Sequence, residues 1–338
     1  MKTERSAYHT LAMLMSGDYR RLSSLIEKHG SWQEALASFP DQERLPHTPI
    51  PQDIRLVLRT EKDFPAALRE IPFPPHAIYI RGALPHAHTK TIALVGTRKA
   101  TTEGKHMAHE FAREFAQAGC AVISGLALGI DAAAHDGALE ARGYTAAVLA
   151  TGADRVYPQW NAKLAERILQ HHGALISEYP PGSPALPYRF LERNRIVSGL
   201  ADGVLVIEAP ERSGSLATAR FALEQNRQIL VIPGPAKHPN FIGSHALLRS
   251  GAELVTEPTH VLQALGITTE ATTRAGETYT DDERAVMEAF VNAQGPLAVD
   301  TIIEYTKLNA QAVSRTLSVL VIRGALRESG GGYVTHHP

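Results

Sequence analysis

Forty residues, Ile92 to Asp131, reading IALVGTRKATTEGKHMAHEFAREFAQAGCAVISGLALGID, constrain the fold more than any other stretch of this chain. Ile92–Val95 is a short apolar run ended by Gly96, the pattern of a strand buried on both faces of a sheet. Thr97–Glu103 is a polar turn, and from about Thr102 apolar residues recur at helical spacing: Met107, Phe111 and Phe115, with Ala118 following. Gly119 stands where a left-handed residue closes a helix. Cys120–Ser124 is a second buried strand, and Gly125–Gly129 is a second small-residue turn that opens a helix. Strand, helix and strand in this order form a βαβ unit, in which ligands gather where strand ends meet helix N-termini. Two glycine turns this close together would bring backbone N–H groups and Arg98 around one crevice, and such a crevice suits an anion.

The alternation continues downstream. Strands are expected over Thr145–Ala150, Ala174–Glu178, Gly203–Glu208, Gln228–Pro233 and Glu253–Thr256. Helices are expected over about Ala132–Arg142, Trp160–His172, Phe190–Leu200, Ser215–Asn226 and Ser244–Arg249. This order predicts an α/β domain, a doubly wound, mostly parallel Rossmann-like sheet. Ala77–Ile80 adds a strand upstream, ended by Arg81-Gly82. Before it, Ser6–Phe39 is helical, punctuated by Gly17, Gly30 and Pro40, and reads either as a packing cap or as a small module touching DNA or a partner. Leu45–Pro51 reads as a linker, as does the Thr- and Ala-rich Ile267–Glu277. Thr280 and Glu283 form a capping box before a helix with Val286, Met287 and Phe290 on its apolar side. Two more helices follow, the last over Gln311–Arg323 and capped by Gly324, and ALRESGGGYV reads as a hairpin. Three helices and a hairpin make a winged helix. The expected domains are a small helical one over 1–58, the Rossmann-like one over 59–267 and the winged helix over 281–338.

Composition narrows the function. The net charge is −1, so no global field draws in nucleic acid and any such site must be local. The one cysteine, Cys120, excludes an intramolecular disulfide and reads as a small core residue. No signal peptide precedes the first helix and no apolar run reaches membrane length, so a cytoplasmic protein without membrane contact is expected. GTRKATTEGK is not a phosphate loop: seven residues separate Gly96 from Gly104 where four are needed, and His106 stands where Ser or Thr would hold magnesium. No G-x-G-x-x-G follows the first strand, and the histidines show no zinc spacing. Neither a cofactor nor a metal is expected.

Five strand-end turns carry Arg, Lys, Ser or Gly. Gly96-Thr97-Arg98 ends the first strand of the βαβ unit, and a guanidinium there suits a phosphate. Ser124-Gly125 and Gly129-Ile130-Asp131 form the second turn; Asp131 and His135, four apart, read as an N-cap with a supporting hydrogen bond rather than an acid–base pair. GADRVYPQWNAK puts Lys163 one turn into a helix near the crevice edge, with Tyr157 and Trp160 open to base stacking or to packing. RFLERNRIVSG holds the densest positive cluster, Arg189, Arg193 and Arg195 against Glu192, two of which are expected on phosphate. Arg212-Ser213-Gly214-Ser215 resembles an anion nest at a helix start. No nucleophile–base–acid set stands among these turns, which suits holding a phosphate backbone better than cutting a bond.

VGTRKAT, SGLALGIDAAAH, GADRVYP, SEYPPG, FLERNRIVSGLADGVLVIEAPERSGSLATA and VIPGP strongly resemble the DprA (Smf) family of DNA-processing proteins of natural transformation, over nearly the full chain. The N-terminus is similar to the family's small SAM-like helical domain and the C-terminus to its winged helix. The resemblance implies a non-enzymatic homodimer that protects incoming single-stranded DNA and loads the RecA recombinase onto it, with single-strand-binding protein as a further partner. Carried over by motif, the DNA-binding set is Gly96, Thr97, Arg98, Ser124, Gly125, Lys163, Arg193, Asn194, Arg195, Gly214 and Ser215. The winged helix's recognition helix offers only Arg315 and Arg323 as cations. A second resemblance, to lysine-decarboxylase-like nucleoside-monophosphate phosphoribohydrolases, rests on the same sheet and the helix from Ser213. Where that family has PGG-x-G-T-x-x-E, this chain reads RSGSLATARFALE, with Phe221 in place of the glutamate.

Overall fold

The computed structural model describes residues 3–39, 48–267, 280–290, 295–322 and 325–335. The chain falls into two units, Met1–Thr269 and Glu270–Pro338. Three short helices open the first unit: α1 (Glu4–Leu14), α2 (Tyr19–His29) and α3 (Trp32–Ala37). Each begins where a polar side chain accepts an otherwise orphaned backbone N–H: Thr3 from Ser6, Asp18 from Arg21 and Ser31 from Glu34. Their apolar faces, with Tyr8, Leu11, Trp32 and Leu36, bury Leu56 and Tyr79 of the adjoining sheet.

The sheet starts earlier than the sequence pattern indicates. Ile54–Leu58 forms strand β1, which pairs antiparallel with β2 (Ala77–Gly82), α4 (Ala66–Arg69) lying between them in sequence. The boundary expected at 58 therefore falls after an edge strand, and the helices pack on the sheet. The linker expected at Leu45–Pro51 lies partly outside the described residues, and so does most of Ile267–Glu277.

The rest of the unit alternates: β3 (Thr91–Val95), α5 (Thr102–Gln117), β4 (Ala121–Ser124), α6 (Ile130–Glu140), β5 (Thr145–Leu149), α7 (Ala162–Gln170), β6 (Ala174–Ser177) and α8 (Pro187–Gly199). It continues with β7 (Gly203–Val206), α9 (Gly214–Glu224), β8 (Gln228–Val231), α10 (Ile242–Arg249), β9 (Glu253–Leu254) and α11 (Pro258–Ala264). The nine strands run in the order β1-β2-β6-β5-β4-β3-β7-β8-β9. Every pairing from β6 to β9 is parallel, and β2 joins β6 antiparallel. Chain order moves outward from β3 to one side and then restarts at β7 on the other, so the switch point lies between β3 and β7.

Both faces of β3 are buried, as its unbroken apolar run requires. Ala93 and Val95 join the core with Val204, Val206, Ile196 and Val197, while Ile92 and Leu94 join Phe111, Phe115 and Cys120 on the other side. Among the described residues no helix is long and apolar enough to cross a membrane.

The second unit has its own core, Val286, Phe290, Ile302, Val313, Leu317, Leu320 and Leu326. It holds α12 (Asp281–Ala289), α13 (Val299–Thr306), α14 (Ala310–Ile322) and a hairpin of β10 (Leu326–Ser329) with β11 (Gly332–Thr335), a winged helix. The capping box forms: Thr280 Oγ1 accepts from Glu283 N, and the Glu283 carboxylate accepts from Thr280 N. Arg315 pairs with Asp282 at 3.4 Å, while Arg323 and the Gly324 cap lie outside the described residues.

Candidate nucleic-acid interface

A crevice of about 530 Å³ opens at the carboxyl ends of β3 and β7, the switch point of the sheet. The turns that follow β3, β4 and β7 form its walls, and α8 and the start of α9 close it. Four cationic side chains line it, Arg98, Lys99, Arg193 and Arg212, against the single carboxylate of Asp131. On a chain of net charge −1 this is a local positive site.

Glycine permits the turns to meet. Gly129 has φ +82°, and a Cβ there would lie 2.4 Å from the Thr97 carbonyl oxygen. At Gly125 a Cβ would lie 2.6 Å from the Arg193 guanidinium. That guanidinium is buried beneath the turn, donating from Nη1 to the Gly125 carbonyl at 2.8 Å and to the Val148 carbonyl, and from Nε to Asn194 Oδ1 at 3.2 Å. Burial pushes its pKa down to about 10; Asp131 opposes the fall and Arg98 adds to it, so Arg193 stays charged at neutral pH.

Asp131 does not cap its own helix, whose N-cap is Gly129. It braces the preceding turn instead, accepting from Gly125 N at 3.1 Å and Ala127 N at 3.3 Å. Burial raises its pKa, with Arg193, these two N–H groups and Arg98 pulling the other way. His135 faces Thr145 Oγ1 at 2.7 Å, and burial together with Arg193 pushes it down to about 3. The two side chains therefore serve separate structural contacts.

Of the eleven residues expected to hold DNA, eight line this crevice: Gly96, Thr97, Arg98, Gly125, Arg193, Asn194, Gly214 and Ser215. Thr97 Oγ1 accepts from Lys99 N, Asn194 Nδ2 donates to the Gly214 carbonyl at 3.1 Å, and Ser213 and Ser215 hydroxyls share a 2.6 Å hydrogen bond at the start of α9. Three residues stand elsewhere. Ser124 is buried and donates to the Leu94 carbonyl at 2.7 Å, tying β4 to β3. Lys163 is exposed, the second residue of α7, outside the crevice lining. Arg195 is buried against Glu178, its Nη2 2.6 and 2.7 Å from the two carboxylate oxygens, with its guanidinium 5.3 Å from the Tyr19 ring centre.

The densest cationic cluster is thus mostly structural. Arg189 is also buried, its Nη2 donating to the Ser16 carbonyl at 2.6 Å and its Nη1 to the Pro184 carbonyl at 3.1 Å, over the Tyr179 ring. Arg189 and Arg195 fasten the N-terminal helices to the sheet, and of the three only Arg193 reaches the crevice. Lys99 and Arg212, by contrast, are exposed cations on its walls. Lys99 follows Arg98 in the same turn, and that adjacency was the available signal. Arg98 itself lies with its guanidinium 5.1 Å from the Phe190 ring centre, a cation–π distance.

Among the described residues no group of three or more His, Cys, Asp or Glu is arranged to hold a metal. Thr218 lines the crevice, but Phe221, one turn further along α9, places no carboxylate there.

Residues 55–266 match the family model for DNA recombination-mediator protein A, and residues 270–332 match the DprA winged helix domain. Protein Smf of Escherichia coli K12 is 39% identical over 267 residues, covering 77% of this chain and 71% of that protein. DNA processing protein DprA of Bacillus subtilis is 35% identical over 215 residues, 63% of this chain and 72% of that one. Among solved structures, DNA processing protein A from Streptococcus pneumoniae aligns with a TM-score of 0.61 at 30% identity, covering 78% of this chain and 93% of that one. A structure of DNA processing protein A from Helicobacter pylori, concerned with that protein's single-stranded DNA binding mode, aligns with a TM-score of 0.57 at 29% identity, covering 63% and 95%.

Proposed function

Because the chain belongs to the DNA recombination-mediator protein A (DprA/Smf) family, we propose that it binds single-stranded DNA in the switch-point crevice and, as a homodimer, loads RecA onto the bound strand. The observation that carries the reading is the concentration of cationic side chains and glycine turns in one crevice of a chain with net charge −1. Phosphate contacts of this kind grip without reading sequence. The contact set is Gly96, Thr97, Arg98, Lys99, Arg193, Asn194, Arg212, Gly214 and Ser215. Lys163 extends the cationic path along α7, and Ser124, Gly125 and Arg195 hold the scaffold.

Dimerisation needs an apolar contact surface. Leu223 on α9 is 70% exposed, and Leu254 on the edge strand β9 is 53% exposed. Two copies gripping one strand through several weak contacts raise the local concentration of bare DNA, so that a docked RecA binds it almost intramolecularly. On a strand already coated by single-strand-binding protein, that is the step a mediator must supply.

Titration of a labelled single strand at several salt concentrations tests the binding reading. Three or four phosphate contacts predict a log–log salt slope of about −2 to −3, at roughly 0.7 per contact. An affinity that ignores salt would refute it. RecA's DNA-dependent ATPase on coated circular single strands tests the loading reading: the lag shortens when this protein is added, and an unchanged lag with RecA from the same organism leaves binding alone.

A further inference from the structure

Trp160 is 85% exposed, the most exposed of the large apolar side chains among the described residues. An indole left in water adds nothing to a core and leaves its flat face open to a ligand. It sits in a 3-10 turn, Gln159–Asn161, that is not free to swing away. Asn161 is buried and its Nδ2 donates to the Leu126 carbonyl at 2.8 Å and the Ala127 carbonyl at 3.2 Å; Ala127 lines the crevice. Tyr157, three residues before Trp160, also lines the crevice and is 48% exposed. Its ring lies 5.5 Å from Phe190, inclined by 60°, and Phe190 carries the Arg98 guanidinium. A chain of π-surfaces therefore runs from the Arg98 cation, through Phe190, to Tyr157, all three lining the crevice. Trp160 follows within about 11 Å of chain.

Resting on the DNA-binding reading above and deepening it, we propose that Trp160 is a base-stacking platform on the outer lip of the crevice, taking an unpaired base of the strand whose phosphates the crevice holds. A polynucleotide gripped through its phosphates presents its bases away from the cations. Any base faces an indole equally well, so the platform adds affinity without sequence preference. The requirement it imposes is that the base be unstacked, which favours single strands over duplex. Charge and phosphate geometry alone do not make that distinction.

The test uses the full chain and oligo(dT) of about 25 nucleotides, beside the same backbone with abasic sites throughout. The chain has two tryptophans, Trp32 buried and Trp160 exposed, so quenching of intrinsic fluorescence on binding reports Trp160. Trp160→Ala should weaken oligo(dT) by about 5- to 150-fold, the usual range for one base–aromatic stack, while leaving the abasic strand and the salt slope unchanged. Trp160→Phe should recover most of the loss. Equal weakening of both strands would overturn the proposal by making Trp160 a backbone contact. Unchanged oligo(dT) affinity in Trp160→Ala would overturn it too, leaving the indole to a protein partner. If the wild-type chain binds neither strand, the DNA-binding reading fails first and this inference falls with it.

Discussion

Arg195→Ala separates a scaffold role from a DNA contact for the cationic cluster of α8. Arg195 and Glu178 are 7% and 6% exposed, and one guanidinium nitrogen reaches both carboxylate oxygens. Removing the arginine leaves a buried carboxylate without its counter-charge, which costs about 3–5 kcal/mol in comparable pairs. The cost should depend on pH. Burial already raises the Glu178 pKa, and losing Arg195, which opposes the rise, raises it further. A carboxyl whose folded pKa exceeds its unfolded value is penalised only where the unfolded chain is ionised. The deficit is therefore small below the unfolded pKa, about 4.3, and grows as pH rises towards the folded value. Urea unfolding of the wild type and Arg195→Ala at pH 5 and pH 8 should show the larger gap at pH 8. Adding Glu178→Gln to Arg195→Ala should restore much of the loss, since no charge is then stranded. Oligonucleotide affinity of the folded variant should keep the wild-type salt slope. A stability change under about 1 kcal/mol together with a slope reduced by roughly 0.7 would refute this reasoning and put the guanidinium on phosphate.

Arg98→Ala and Arg212→Ala should do the reverse, each lowering the magnitude of the salt slope by roughly 0.7 with the unfolding midpoint unchanged, as titration and urea curves on the same samples will show. Acid should loosen the sheet: burial lowers the folded pKa of His135 to about 3 and of His76 to about 4, so their contribution is complete above about pH 6.5 and lost as pH falls below it. By pH 5 each accounts for up to about 2 kcal/mol, measured as a falling urea midpoint. A chain ending at residue 267 should still bind oligonucleotides, because the proposed contacts all precede that point; a folded truncation with most of its affinity gone would make the winged helix a primary DNA site. AMP and CMP should release no free base, checked by chromatography, since Phe221 occupies the position of the expected glutamate.

What was legible in the chain followed from local rules. The apolar runs around Gly96 and Gly125 mark strands whatever the distant sequence does, and turns rich in glycine mark where the chain must pass close to itself. Six of the eight expected residues that line the crevice lie in such turns or at a helix start, while Arg193 and Asn194 stand in the middle of α8. The arginines of α8 could not be sorted this way. Whether a guanidinium faces water or a buried acceptor depends on Glu178, 17 residues away, and on the Ser16 carbonyl, 173 residues away. Spacing along the helix carries neither fact. Strand β1 was missed for a related reason: IRLVL is short, interrupted by Arg55, and gains its strand character from pairing with β2 and from the helices that cover it.

Helix α8 leaves a trimmed or shuffled version of this protein little latitude. Arg193 and Asn194 reach the crevice, while Arg189, one turn earlier, and Arg195 reach the N-terminal helices. Excising the residues before 54 would bare Leu56, Leu58, Ala77 and Tyr79 as a sticky apolar face. It would also take away the Ser16 carbonyl, one of the two that Arg189 donates to. An ancestor that gained or lost these helices had to change both ends of the bargain at once. The α8 run RFLERNR should therefore travel through evolution together with the helices themselves and with Tyr19, whose ring Arg195 meets, while position 16 offers only a backbone carbonyl.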